Sequence, residues 1–130
     1  MTEYVVSAVD GPRRDLCERT FCFAIRVVRL CRLLDDKPGT PRLLSKQILR
    51  SGTSVGANVE EAQAAQSDAD FLSKYSIACK EARETLYWLR LLAASEVIPE
   101  VKLHDLIGEC NELVAILTSI GRRLKAKRHS

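Results

Sequence analysis

The sequence predicts an all-α domain, an antiparallel up-down-up-down four-helix bundle, on three observations. Apolar residues recur at alternating spacings of three and four over four long segments, which is the period of a helix face. Short breaker clusters such as Asp35-Asp36-Lys37-Pro38-Gly39 separate the segments, and short connections join antiparallel neighbours. Only 6 Gly and 4 Pro occur in 130 residues, too few for the many turns of an all-β chain.

Residues 1–12 lack periodicity and end in the turn signal Asp10-Gly11-Pro12, so a flexible arm is expected there, followed by the bundle over 13–125 and a basic tail over 126–130. The first helix is predicted over about Arg13–Leu34. Its seam is read as Cys17, Phe21, Ala24, Val28 and Cys31, with a second stripe of Phe23, Val27, Leu30 and Leu34 beside it. That apolar surface is wider than one seam requires. It fits either a deeply buried helix or one that also faces another subunit.

Thr40 followed by Pro41 predicts an N-cap with proline at the first helical position. The second helix then extends to about Ala65. Its apolar register is Leu44, Ile48, Gly52, Val55, Val59 and Ala62, with Asn58 at the margin, because a buried amide is costly unless its hydrogen bonds are met. This helix accepts Gly52 and Gly56 although each interior glycine costs about 1 kcal/mol against alanine. A close approach of another helix, admitted by Gly52, Gly56 and Ala57, is the best reason, with Arg50, Ser54 and Asn58 along one side.

Ser67-Asp68-Ala69-Asp70 predicts the cap of a third helix that runs to about Ser95. Its core stripe is Phe71, Tyr75, Ala78, Ala82, Leu86, Leu89 and Ala93, widened by Trp88, Leu91 and Leu92. Pro99 opens the fourth helix. There Leu103, Leu106, Cys110, Leu113, Leu117, Ile120 and Leu124 form the cleanest heptad pattern in the chain.

Composition narrows the function. The five cysteines are odd in number, form no C-x-x-C pair and fall inside helical patterns, so they read as reduced core residues in a cytoplasmic protein. The first residues show no signal peptide, and no run of about 18 apolar residues is available to span a membrane. Glu60, Glu61, Glu81 and Glu84 invite a di-iron centre, but the Glu-x-x-His that such a centre requires is missing, and neither a metal nor another cofactor is expected. No G-x-S-x-G, Cys/His pairing or phosphate loop suggests an enzyme. The net charge of +3 is segregated: Arg122, Arg123, Lys125, Lys127 and Arg128 crowd the last residues without an acid, whereas 100–121 carry four acids and one lysine. These five, together with the arginines of the first helix, are candidate nucleic-acid contacts, although no aromatic platform for stacked bases accompanies them.

The run Ile48-Leu49-Arg50-Ser51-Gly52-Thr53-Ser54-Val55-Gly56-Ala57-Asn58-Val59-Glu60-Glu61-Ala62, with Asp70-Phe71-Leu72-Ser73-Lys74 and Ser76 through Leu89, resembles the signature of a bacterial family of four-helix bundle proteins. Its first-described members are encoded in intervening sequences of 23S ribosomal RNA genes. The likeness covers roughly residues 14–125. It implies a ring-like homopentamer without catalytic activity. Related bundles serve diversity-generating retroelements, where a basic pentamer engages reverse transcriptase and RNA. By that resemblance Arg50, Ser54, Asn58, Glu60, Glu81 and Glu84 make interhelix or intersubunit polar contacts, and the partners are further copies of the chain and RNA or a nucleoprotein. The alternative is a protein-binding adaptor without nucleic-acid contact.

Overall fold

A computed structural model describes the backbone of residues 12–129 and the side chains of residues 15–127. Residues 1–11 of the expected arm and the Arg128 side chain lie outside them. Four helices, α1 (Pro12–Asp35), α2 (Thr40–Gln63), α3 (Asp68–Ala94) and α4 (Glu100–His129), pack against one another, and there is no strand among the described residues. Each helix packs broadly on its neighbour in sequence, whereas α1 and α4 meet sparingly.

The helix ends follow local chemistry. The Ser67 side chain accepts a hydrogen bond from the Asp70 N–H at 3.1 Å, and Asp68 and Asp70 lie in the first turn of α3, where a negative charge suits the helix dipole. The start of α2 differs from expectation. Gly39, at φ 90°, is the capping residue and Thr40 is already helical, so no side chain caps this end. Gly39 takes that role because its positive φ is strained for any residue with a Cβ.

Leucines, valines and small residues from all four helices form one core. Leu103, Leu106, Cys110, Leu113 and Leu117 bury the α4 seam as predicted, with Ile120 packed at its edge. In α2, Ile48, Gly52, Val55, Val59 and Ala62 are buried, and Asn58 is half-buried as expected. Tyr75, Ala78, Ala82 and Leu89 carry the α3 stripe, joined by Cys79, Thr85 and Leu92.

Helix α1 corrects the sequence reading. Its buried seam is Leu16, Thr20, Phe23, Val27, Leu30 and Leu34, with Cys31 beside it. Phe21 and Val28, assigned to the principal seam, are 41% and 39% exposed. Thr20 hid the true heptad by interrupting it with a hydroxyl. That hydroxyl is fully buried yet satisfied, since Oγ1 lies 2.9 Å from the Leu16 carbonyl and 3.1 Å from that of Cys17. Phe23→Ala should therefore cost about 3–5 kcal/mol in denaturant unfolding at fixed protein concentration, and Phe21→Ala no more than about 1 kcal/mol. Equal losses would contradict this assignment of the core.

Candidate functional site

The stretch rich in small residues on α2 divides between two neighbours. Its glycines face α1. A Cβ on Gly52 would stand 2.8 and 2.9 Å from the two γ-methyls of Val27, and one on Gly56 would stand 3.2 Å from the carbonyl carbon and oxygen of Thr20. The first obstacle is a stiff β-branched side chain and the second is backbone, so neither yields easily. Ala57, expected to share this contact, is exposed, because it points one residue further around the helix. Below the glycines, Ser45 and Cys31 tie the same two helices reciprocally. Ser45 Oγ donates to the Cys31 carbonyl at 3.2 Å, and Cys31 Sγ lies 3.4 Å from the Ser45 carbonyl.

The polar residues face α3. Arg50 Nη1 lies 3.2 Å from Glu81 Oε1, and its Nη2 bonds to Glu84 Oε2. The Trp88 indole N–H donates to that same Glu84 oxygen at 3.1 Å. Next to this pair along both helices, Ser51 Oγ and Thr85 Oγ1 meet at 2.9 Å in a buried contact. Ser51 donates onward to the Gln47 carbonyl, while the carbonyl of Glu81 lies 2.8 Å from Thr85 Oγ1. Arg50, Glu81 and Glu84 are therefore interhelix contacts within one protomer. Ser54 and Asn58 bond back along their own helix, to the carbonyls of Arg50 and Ser54, and Glu60 is exposed.

Sequence reasoning missed the corresponding tie between α1 and α4. Arg19 grips Glu109 through Nε and Nη2 at 3.2 and 2.7 Å, with Glu112 at 3.6 Å. These ion pairs raise the Arg19 pKa further above its ordinary value, chiefly through the Glu109 hydrogen bond. The acidic balance of α4 was the available signal. Between α3 and α4, Cys79 Sγ meets Thr118 Oγ1 at 3.3 Å, and Cys110 Sγ lies 3.4 Å from the Ala82 carbonyl. Burial pushes the Cys110 thiol up to about 12, which removes it as a nucleophile near neutral pH. Among the described residues all five cysteines are free, and no cluster of His, Cys, Asp and Glu could hold a metal ion. None of the described helices is long and apolar enough to cross a membrane.

The candidate nucleic-acid contacts Arg122, Arg123, Lys125 and Lys127 are exposed on the last turns of α4, whose helical backbone continues to His129. Among the described residues Arg122, Arg123 and Lys125 join no acid in an ion pair of the kind that holds Arg19 and Arg50, and Arg122 shares a groove with Lys125 and with Arg83 of α3.

Two changes test this geometry. Gly52→Ala should destabilise by about 1–3 kcal/mol, and Val27→Ala introduced with it should recover part of that loss, giving a favourable coupling above about 0.5 kcal/mol in a double-mutant cycle. Strict additivity would show that the two residues do not compete for space. The Glu84 carboxyl is held below its ordinary 4.5, first by the Trp88 N–H and then by Arg50. Its contribution to stability is present above that value and is lost as pH falls through the lower folded pKa. The stability gap between wild type and Glu84→Gln should thus be open near neutrality and close in acid. A gap independent of pH would refute the pairing.

Residues 14–119 match the model of a family described as 23S rRNA-intervening sequence protein. A solved structure with TM-score 0.75 and 43% sequence identity covers 81% of this chain and 96% of its own; it is a protein of unknown function from the S23 ribosomal protein family of Bacteroides thetaiotaomicron. No curated protein matches the sequence.

Proposed function

Because the chain belongs to the 23S rRNA-intervening sequence protein family, we propose that it is a non-enzymatic, cytoplasmic, homo-oligomeric bundle that engages RNA or a nucleoprotein through the basic end of α4. The antiparallel up-down-up-down order is part of this reading. It is supported by contacts that run in opposite senses along paired helices, from Cys31–Ser45 to Thr20–Gly56 on α1 and α2, and by the short connections between helices.

The observation that carries the oligomer is the α1 stripe left outside the protomer core. Phe21, Ala24 and Val28 keep coiled-coil spacing along one face, and Phe21 and Val28 remain exposed, whereas Cys17 at the head of the stripe packs against the core. A stripe with that spacing suits a further helix, and the family resemblance makes a homopentamer the assembly proposed. The RNA half is supported by four exposed cations on the last turns of α4, beyond the acids that precede them. The absence of a nucleophile motif in the sequence supports a binding role rather than catalysis.

Light scattering should give a particle near five times the 14.5 kDa chain mass, and Phe21→Asp with Val28→Asp should reduce it to smaller species with helicity retained. Labelled single-stranded RNA should bind with an affinity that falls as salt rises, and Arg123→Gln with Lys127→Gln should flatten that dependence by about 1.4 in log–log slope. A monomeric wild type would remove the assembly from the proposal. Failure to bind RNA at low salt, with recovery of a stoichiometric protein partner instead, would favour the adaptor reading.

A further inference from the structure

We infer that the groove between the C-terminal half of α4 and the facing part of α3 is a phosphate-binding site, and that it seats successive phosphates of an RNA strand between Arg83 at one end and Arg122 with Lys125 at the other. The inference rests on the RNA reading above for the identity of the ligand, but the groove itself is defined independently of it.

The groove has a volume of about 260 Å³ and is lined by both helices. Every charged residue on its walls is a cation, namely Arg83, Arg122 and Lys125, and no carboxylate lines it. Among the described residues none of these three is in an ion pair, whereas Arg19 and Arg50 are each held by two glutamates of a facing helix. Ser76 and Thr118 add hydroxyls that can donate to phosphate oxygens. Tyr75 and Arg83 both line the groove, and at 1.5 Å rise per residue they are separated by about 12 Å along α3. The Cys79–Thr118 and Cys110–Ala82 contacts run in opposite senses along the two helices. This places Arg83 to one side of the Cys79–Thr118 contact and Arg122 with Lys125 to the other, so the cations stand at opposite ends of an elongated slot. That arrangement suits a polyanion better than a single small ion. Guanidinium groups also match phosphate oxygens in a planar fork.

Gly121 provides a second observation. It lies inside α4, where glycine costs about 1 kcal/mol against alanine, yet a Cβ there would meet nothing within 4 Å. Packing therefore does not require it, in contrast to Gly52 and Gly56. Gly108 is equally uncrowded, but Gly121 lines the groove, and its missing side chain keeps the floor open for a ligand.

The test compares full-length wild type with Arg83→Gln, Gly121→Leu and the Arg123→Gln/Lys127→Gln pair. Each is titrated by anisotropy with a labelled single-stranded oligoribonucleotide between about 50 and about 200 mM salt, and by calorimetry with tripolyphosphate and with polyglutamate. Circular dichroism melts check that each variant folds. Arg83→Gln should weaken RNA binding severalfold and lower the log–log salt slope by about 0.7, as expected for one single-strand phosphate contact. Gly121→Leu should weaken binding without losing helicity, because it fills the slot. RNA binding that is unaffected by Arg83→Gln and Gly121→Leu but reduced by the Arg123/Lys127 pair would overturn the groove and leave the RNA reading intact. Tripolyphosphate binding that depends on Arg83, without RNA binding, would keep the groove as a phosphate site and overturn the RNA reading. Polyglutamate binding alone would overturn both in favour of an acidic protein partner, and binding of none of the three would overturn both outright.

Discussion

The approach of α1 to α2 over the bare backbone of Gly52 and Gly56 is the constraint on which the remaining packing depends. With no Cβ at these positions, the Val27 side chain and the Thr20 backbone settle directly against α2. Once Thr20 and Val27 face that helix, Phe23, Leu30 and Leu34 must turn inward with them. The same rotation leaves Phe21 and Val28 outside. A single steric fact thus selects both the core face of α1 and the apolar face available to another molecule. On the opposite side of α2, it places Arg50 and Ser51 against α3, where Glu81, Glu84 and Thr85 receive them.

Polar groups divide into those satisfied inside the protomer and those left for a ligand. Arg19 and Arg50 join helices by ion pairs, and Ser45, Ser51 and Thr85 join them by buried hydroxyl contacts. The half-exposed ion pairs add modestly to stability, since solvent screens them. Their larger effect is directional, because a guanidinium fork and a buried hydroxyl accept few geometries. Cys31, Cys79 and Cys110 act in the same way, as small core residues whose thiols reach a polar atom on the next helix. Among the described residues Arg83, Arg122 and Lys125 form no such ion pair, and they line one groove.

Much of this arrangement was legible before any coordinates. The α4 seam, the α2 register with Asn58 at its edge, and the Ser67 cap each rest on local spacing or local hydrogen bonding, which a linear pattern records directly. The α1 seam was misread because two apolar stripes competed and the buried one contained Thr20, whose hydroxyl is satisfied by its own helix. Of the candidate polar residues, Arg50, Glu81 and Glu84 do join two helices, whereas Ser54 and Asn58 bond within α2 and Glu60 is exposed. A linear pattern does not separate these cases, since Arg50 and Glu84 stand 34 residues apart. Arg83 escaped notice for the same reason: it is an ordinary cation on α3 until α4 brings Arg122 and Lys125 alongside.

By itself, then, the sequence determined four helices, most of their inward faces, the small-residue site on α2 and the concentration of charge at the end of α4, because helical period, capping and composition are properties of neighbours along the chain. Only the tertiary structure decided which stripe of α1 is core, that the glycines face α1 while Arg50 faces α3, and that cations from two helices share a groove. Those outcomes depend on how helices are rotated against one another. The close approach that Gly52 and Gly56 allow, where a Cβ would stand only 2.8 to 3.2 Å from α1 atoms, settles that rotation where periodicity leaves two faces equally apolar.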